Sequence, residues 1–258
     1  MPTSSTSNSS VQAIDRAFLV LETVAKQESI SLNNLHRELG LNKASLLRVA
    51  TTLCNNGYLL RDAKTGDYSL SLKAFEVGVH AVRNLDYINL VKGELETLSN
   101  ELGVVAQFSV EDNNELLCLE SFDRNNSPFS IYTRVGGRSP LYSTSAGKAI
   151  LSTYSNEEIL RKWEMMDAKP LTPNTIRTAD ELMQDIARIR ERNYALDIEE
   201  NEPGLFCLGT VLMNYNRKPL GAISLSSRSM TEEEQMRYAQ SLLQHTRRLS
   251  SMLGYSNR

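Results

Sequence analysis

Two kinds of hydrophobic spacing divide the chain. From Val11 to about Asn84, apolar positions recur mainly at intervals of three and four. Between Val104 and Ser226 they mainly alternate, and helical spacing returns at intervals from Ser145 onward. The first interval predicts amphipathic helices and the second half-buried strands. "VQAIDRAFLVLETVAKQ" places Ile14, Phe18, Leu21 and Ala25 on one helical face. Ser31 and Gly40 then bound a short second helix as N-cap and left-handed stop. Asn42 caps a third helix, "KASLLRVATTLCNN", whose buried stripe is Leu46, Val49, Ala50 and Leu53. A helix, a tight turn containing glycine and a second helix form the helix-turn-helix arrangement. "YLLRDAKTGDYSLSL" follows as two alternating runs around Lys64-Thr65-Gly66, which predicts a β-hairpin. The first third therefore reads as a winged helix-turn-helix.

Ser71 opens a further helix, "LKAFEVGVHAVRN", and "YINLVKGELETLSNEL" is another. Strands are predicted at "VVAQFSVE", "ELLCLESF", "FSIYTRV", "YALDIE", "GLFCLGTVLM" and "PLGAISLS". Three Ser/Thr-x-x-Glu boxes, at Ser155, Thr178 and Thr231, predict helices over 156–166, 179–192 and 232–252. The expected organisation is a disordered tail (1–10), a mainly α winged helix-turn-helix (11–72), a linker helix (73–86) and an α+β domain with an antiparallel sheet (87–258).

Charge sharpens the division. The net charge is −3, yet residues 1–83 carry nine Lys/Arg against seven Asp/Glu. Between Arg37 and Lys64 there are five basic and two acidic side chains. A basic patch on an acidic chain points to nucleic acid. The third helix offers Lys43, Ser45, Leu47, Arg48, Thr51 and Thr52 opposite its apolar stripe. Lys43 and Arg48 suit phosphates or guanine edges, Ser45 and Thr52 suit phosphates, and Leu47 suits a thymine methyl. Arg61 and Lys64 on the wing would reach flanking backbone. The three cysteines (Cys54, Cys118, Cys207) and three histidines are dispersed. They form no metal spacing and no disulfide framework, so no cofactor or metal is expected and a reducing cytoplasm is. No apolar run reaches membrane-spanning length.

"LYSTSAGKAI" (141–150) carries three candidate readings. A phosphate loop would need glycine at Tyr142 and a hydroxyl at Ala149. A Ser-x-x-Lys nucleophile lacks its companion motifs and has no placed base. What remains is a helix start of small residues. The N–H groups of Ser145, Ala146 and Gly147, aided by the helix dipole, suit a carboxylate. On that reading Lys148 is a surface or packing residue.

The motifs "GLNKASLLRVATTLCNNGYL", "GDYSLSLKAFEVG", "GGRSPLYSTSAGKAIL", "LDIEENEPGLFCLG" and "GAISLSS" resemble the isocitrate lyase regulator (IclR) family of bacterial transcription factors, from Val11 to Tyr255. Within it, "YSLSLKAFEVG", "PLYSTSAGK" and "LGY" are most similar to regulators of sugar-acid (ketodeoxygluconate-type) metabolism. The resemblance implies a GAF-like effector domain and a homodimer, or a dimer of dimers, on double-stranded operator DNA. It also implies a small carboxylate effector, a 2-oxo acid or sugar acid, because members with known ligands bind glyoxylate or pyruvate. Carried over, the effector-binding positions are Ser145, Ala146, Asp197, Leu205, Cys207, Ser224 and Ser226. The chain departs from the family pattern at Leu47, Gly137, Asn193 and the run "TVLM" at 210–213. The expected function is a ligand-responsive transcriptional regulator, a repressor of small-carboxylate or sugar-acid catabolism. The competing expectation is an enzyme of small oxo-carboxylates with Cys207 or Ser145 as nucleophile.

Overall fold

The computed structural model describes residues 11–83, 87–124 and 134–255. The tail expected to be disordered, the end of the expected linker helix and nearly all of the strand expected at "FSIYTRV" lie outside these residues. The chain divides into two units, Met1–Leu85 and Asp86–Arg258.

The first unit is α1 (Gln12–Ala25), α2 (Leu32–Leu39), α3 (Lys43–Asn55), the hairpin β1 (Leu59–Arg61) and β2 (Tyr68–Leu70), and α4 (Leu72–Arg83). Its caps follow from the sequence. Ser31 Oγ accepts from the Asn34 N–H at 3.2 Å, and Gly40 ends α2 at φ +64°. Asn42 Oδ1 accepts from the Ala44 N–H at 2.8 Å and starts α3. These caps fix the three-residue break that sets α3 across α2. Leu35, Leu46, Ala50, Leu59 and Tyr68 close the core with Val20 and Val24.

The buried face of α1 differs from the expected one. Val20, Thr23 and Val24 are buried, whereas Ile14 and Phe18 are more than half exposed and Ala25 is exposed. The apolar arc of α1 is wider than the unit covers. Ile14 and Phe18 lie on its outer flank beside Val11, and only Leu21 of the expected stripe packs against the core. The face of α4 is likewise open at Leu72, Phe75 and Val77.

In the second unit, α5 (Ile88–Leu102) leads into β3 (Val105–Asp112) and β4 (Glu115–Phe122). Then come β5 (Arg138–Pro140), α6 (Ser145–Leu151), α7 (Asn156–Met165), α8 (Ala179–Arg192), β6 (Ala195–Ile198), β7 (Phe206–Met213), β8 (Pro219–Ser227) and α9 (Glu232–Met252). The described strands form one antiparallel sheet in the order β5-β4-β3-β8-β7-β6. The long connection over α6, α7 and α8 therefore returns the chain at the far edge, and β8 closes the middle beside β3. All three expected capping boxes are formed, at Ser155, Thr178 and Thr231. Alternation assigns the sheet faces. Ala106, Phe108, Ile223 and Leu225 face α5 and α9, and Phe108 meets Tyr87 edge-on at 5.9 Å. Gln107, Ser109, Ala222, Ser224 and Ser226 face α6. Asn193 ends α8 at φ +66°, a left-handed stop that asparagine tolerates better than other non-glycine residues.

Two adjacent leucines on α3 separate packing from function. Leu46→Ala should lower the free energy of unfolding by about 2–5 kcal/mol, because it empties a core position. Leu47→Ala, at a position 40% exposed, should change it by less than about 0.5 kcal/mol. Urea unfolding of the two variants without DNA checks both values.

Candidate functional site

The outer face of α3 presents Lys43, Leu47, Arg48, Thr51 and Thr52 to solvent. Lys43 and Arg48 have no carboxylate partner among the described residues, so their charge is available to an external anion. Ser45 is half-buried, and its Oγ accepts from Arg16 Nη1 of α1 at 3.4 Å. Arg16 thus adds a cation to this face that the helical pattern of α3 alone does not reveal. The Thr52 hydroxyl donates to the Arg48 carbonyl at 2.9 Å, so its proton is engaged within the helix. On the wing, Asp62 Oδ1 accepts from the N–H groups of Lys64 and Thr65, both at 2.7 Å. Those two bonds hold the Asp62 carboxyl below its ordinary pKa and shape the turn. Arg61 stacks over Tyr68 at 5.6 Å and donates to the Gly66 carbonyl at 3.3 Å, which fixes it along the hairpin. Lys64 projects from the tip.

The second site is a cavity of about 40 Å³ between the start of α6 and the sheet. Strand register creates it. Asp197 pairs with Cys207, Cys207 with Ser226, and Gly209 with Ser224, which in turn pairs with Gln107. Side chains directly opposite in antiparallel strands share a face. One row is therefore Asp197, Cys207 and Ser226, and the next is Gly209, Ser224 and Gln107. Where the second row lacks a side chain, α6 descends onto the sheet. A β-carbon on Gly209 would lie 2.8 Å from Ala146 N, and one on Gly147 would lie 2.4 Å from the Leu141 carbonyl oxygen. Both close approaches exclude any residue larger than glycine without movement.

All seven residues expected at the effector site line this cavity: Ser145, Ala146, Asp197, Leu205, Cys207, Ser224 and Ser226. Gln107, Ser109, Leu116, Ser139 and Asn201, which the sequence reading missed, complete the wall with Thr144. Gln107 and Ser109 did leave a signal, as polar residues two apart within the apolar run at 104–110. Thr144 caps α6, its Oγ1 accepting from the Gly147 N–H at 3.2 Å. Gly147 is thus already satisfied, while the N–H groups of Ser145 and Ala146 have no acceptor within the described residues. Ser145 Oγ is fully buried and also has no partner. An orphaned buried hydroxyl costs about 1–3 kcal/mol, so its position calls for an acceptor or donor from outside. Ser143 Oγ donates to Asn201 Oδ1 at 3.0 Å, and the Cys207 thiol lies 3.2 Å from Ser226 Oγ.

Asp197 is buried, and its Oδ1 accepts from the N–H groups of Glu200 (2.8 Å) and Asn201 (3.3 Å). Burial and the nearby Glu200 carboxylate push its pKa up to about 7, against those two bonds and Lys148. Burial raises the Cys207 thiol well above its ordinary value and Cys118 to about 11. Neither is a thiolate near neutrality, and no histidine lines the cavity. The Cys207 side chain is hydrogen-bonded to Asp197, and burial together with that carboxylate keeps the proton on sulfur.

Lys148 is neither a surface residue nor an apolar packing residue. It is fully buried, with Nζ at 2.6 and 2.7 Å from the two Glu200 oxygens and 2.9 Å from Asp185 Oδ2. A buried ammonium needs such partners. Glu200 belongs to a tight turn in which Glu199 takes φ +56°. Thr172 and Thr175 donate to the Glu199 and Glu200 carbonyls at 2.6 and 2.7 Å and hold that turn. Asn193 lies outside the cavity and lines an open surface groove with Arg190 and Arg247, so its departure from the family pattern does not alter the cavity wall. Groups of metal-ligating side chains are absent among the described residues.

Comparison with known proteins finds two family domains in the chain. Residues 13–63 match the IclR helix-turn-helix domain, and residues 79–251 match the bacterial transcriptional regulator IclR C-terminal domain. The chain is 29% identical to the HTH-type transcriptional regulator XynR of Escherichia coli over 95% of this chain and 98% of that protein. It is 27% identical to the HTH-type transcriptional regulator KdgR of Escherichia coli, over 95% and 94%. The crystal structure of the Thermotoga maritima IclR superposes with a TM-score of 0.78 at 27% identity, over 94% of this chain and 98% of that one.

The buried ion cluster sets an expected cost. Lys148→Met leaves Glu200 without its cation, while Asp185 keeps Arg188 and Arg192, and should destabilise the second unit by about 3–5 kcal/mol. Lys169→Met breaks only the exposed pair with Asp167 and should change stability by less than about 1 kcal/mol. Chemical denaturation of the two variants in parallel measures the contrast.

Proposed function

The chain belongs to the IclR family of bacterial transcriptional regulators, and from that premise we propose that it represses an operon for catabolism of a sugar acid or other small carboxylate and releases the operator when that compound fills the cavity. Its relatives are regulators, not enzymes, and the inert thiols agree with them. Several of them carry the word repressor in their names, among them the transcriptional repressor IclR and the DNA-binding transcriptional repressor YiaJ, both of Escherichia coli.

One observation carries the effector reading. A helix start with two unpaired N–H groups and an orphaned buried hydroxyl faces a polar row of Asp197, Cys207 and Ser226. The ligand carboxylate would take the Ser145 and Ala146 N–H groups. Its oxo or hydroxyl groups would meet Asp197, Ser224 and Ser226, and Leu205 would cover its carbon chain. A cavity of about 40 Å³ holds little more than a water molecule. A sugar acid therefore has to displace the wall, and displacement of the wall is how binding would be felt elsewhere. A ligand shifts an equilibrium only by its difference in affinity for the two states. A coupling of about 1–3 kcal/mol changes operator affinity by about 5–150-fold.

The DNA contacts follow from the exposed cations: Lys43 and Arg48 at bases or phosphates, Leu47 at a thymine methyl, Ser45 on the phosphate side, and Arg61 and Lys64 along the flanking backbone. Thr52 is the weakest of these assignments, because its proton is engaged by the Arg48 carbonyl. The open apolar faces of α1 and α4 support a homodimer, which would present two reading helices to a two-fold operator. Two dimers on neighbouring half-sites would form the dimer of dimers. No helix among the described residues is long and apolar enough to cross a membrane. The proposed place of action is the cytoplasm, on DNA.

Binding of the full chain to DNA upstream of its own gene, across a salt series, tests the regulator. Arg48→Ala should lose about tenfold or more in operator affinity and flatten the salt dependence. Ser224→Ala combined with Ser226→Ala should bind the operator normally and lose release by the inducing acid, screened among glyoxylate, pyruvate and 2-oxo-3-deoxygluconate. Full release in the double variant would refute the pocket assignment, and unchanged operator binding by Arg48→Ala would move the reading face.

A further inference from the structure

The cavity is built for a carboxylate yet contains one already. Among its lining residues Asp197 is the only carboxyl group, and there is no lysine, arginine or histidine. A ligand anion seated at Ser145 and Ala146 would share a space of about 40 Å³ with the buried Asp197. Two like charges that close in a low-dielectric site cannot both persist, so one proton is held between them.

Lys148 favours the charged form of Asp197, but burial and Glu200 outweigh it. From α6, the Lys148 ammonium is directed away from the cavity onto Glu200 and Asp185. The turn after β6 contributes two further carboxylates, Glu200 and Glu202, whose charge is felt at Asp197 and Cys207. Across from Asp197, β7 supplies the Cys207 thiol, which burial keeps protonated and which is hydrogen-bonded to the Asp197 side chain, while β8 and β3 supply only neutral Ser224, Ser226 and Gln107. Arg228 is paired with Glu202, and Arg188 and Arg192 with Asp185, so these cations, like Lys148, are engaged by other carboxylates.

We propose that the effector enters as a monoanion together with one proton, and that Asp197 carries that proton as a neutral donor to the ligand. The inference rests on the reading of the cavity as the effector site. The balance is simple: the anion, the Asp197 carboxylate and one proton from solvent give a complex with a single negative charge, and no covalent bond changes. Protonated Asp197 keeps Oδ1 as acceptor for the Glu200 and Asn201 N–H groups and offers the other oxygen as an O–H donor. The free protein already lies near the required state, because burial and Glu200 hold the Asp197 pKa up at about 7. The ligand selects the protonated form, so raising the pH weakens binding. Affinity is flat well below pH 7 and falls toward tenfold per pH unit above it. The regulator would therefore respond to pH as well as to ligand.

Calorimetric titration of the full chain with pyruvate, the smallest probe with a 2-oxo and a carboxylate group, tests this at pH 6 and pH 8. Each pH is run in two buffers of different ionisation heat, so that proton uptake is counted directly. The expected result is near-zero uptake at pH 6, nearly one proton at pH 8, and a Kd about tenfold larger at pH 8. Asp197→Asn keeps an acceptor at Oδ1 and should bind with no uptake and a Kd that does not change with pH. Ser226→Ala, a neutral change in the same wall, should weaken binding but keep the proton count. Binding of pyruvate without proton uptake at pH 8, or an Asp197→Asn variant that still takes up a proton, would overturn the proposal and leave the effector site standing. If pyruvate, glyoxylate and 2-oxo-3-deoxygluconate all fail to bind at either pH, the effector-site reading falls, and this inference with it.

Discussion

A lysine ammonium with no exposure to water constrains the whole second unit. Lys148 is reached by Glu200 from the turn after β6 and by Asp185 from α8. Three segments far apart in sequence must therefore converge on one charge, or the charge is left bare in the interior. That demand sets the depth at which α6 lies on the sheet. It also sets the position of the turn whose Glu200 and Asn201 N–H groups hold Asp197. Ser145 and Lys148 are one helical turn apart on α6. The anion-suited end of the helix and its buried cation therefore move as one body, and any displacement of the cavity wall is felt at the ion cluster.

The two units use charge in opposite ways. On α3 and the wing, Lys43, Arg48 and Lys64 have no carboxylate partner among the described residues, as suits a surface that meets a polyanion. In the second unit the arginines beside the ion cluster are themselves tied to acids, Arg188 and Arg192 to Asp185. Cations there serve the interior of the protein, and the effector cavity has none. A site without a cation can still take an anion if it offers oriented N–H groups and keeps its own carboxyl neutral. Such a site is sensitive to small changes in geometry, because dipoles act over shorter distances than full charges. That sensitivity suits a sensor better than a store of tight affinity.

Much of the fold was legible locally. Ser31, Gly40, Asn42 and the boxes at Ser155, Thr178 and Thr231 determine helix ends through contacts within four residues, and each formed as written. Ser145 and Ala146 were legible as a helix start of small residues, whereas Asp197, Leu205, Cys207, Ser224 and Ser226 were legible only through resemblance. Their convergence depends on strand register, and register is a long-range property. The stripe of α1 was misplaced because its apolar arc exceeds what one unit can bury, and helical spacing alone does not say which flank faces inward. Lys148 was missed for a similar reason. Nothing in "SAGKAI" reveals that the partners of the lysine lie 37 and 52 positions further along the chain.

The small residues of "LYSTSAGKAI" can be understood from this geometry. A helix start binds an anion through its N–H groups only if the backbone itself reaches the ligand, so side chains must be small on both surfaces. Gly209 on β7 clears the space beneath Ser145 and Ala146, and Gly147 lets the helix fold back against the Leu141 carbonyl. Thr144 then satisfies the Gly147 N–H, which leaves the two N–H groups nearest the cavity free. The apparent Gly-Lys and Ser-x-x-Lys motifs arise from two separate needs that fall within one turn of helix. Glycine is required where backbone meets backbone, and lysine is required one residue later to anchor that turn from behind.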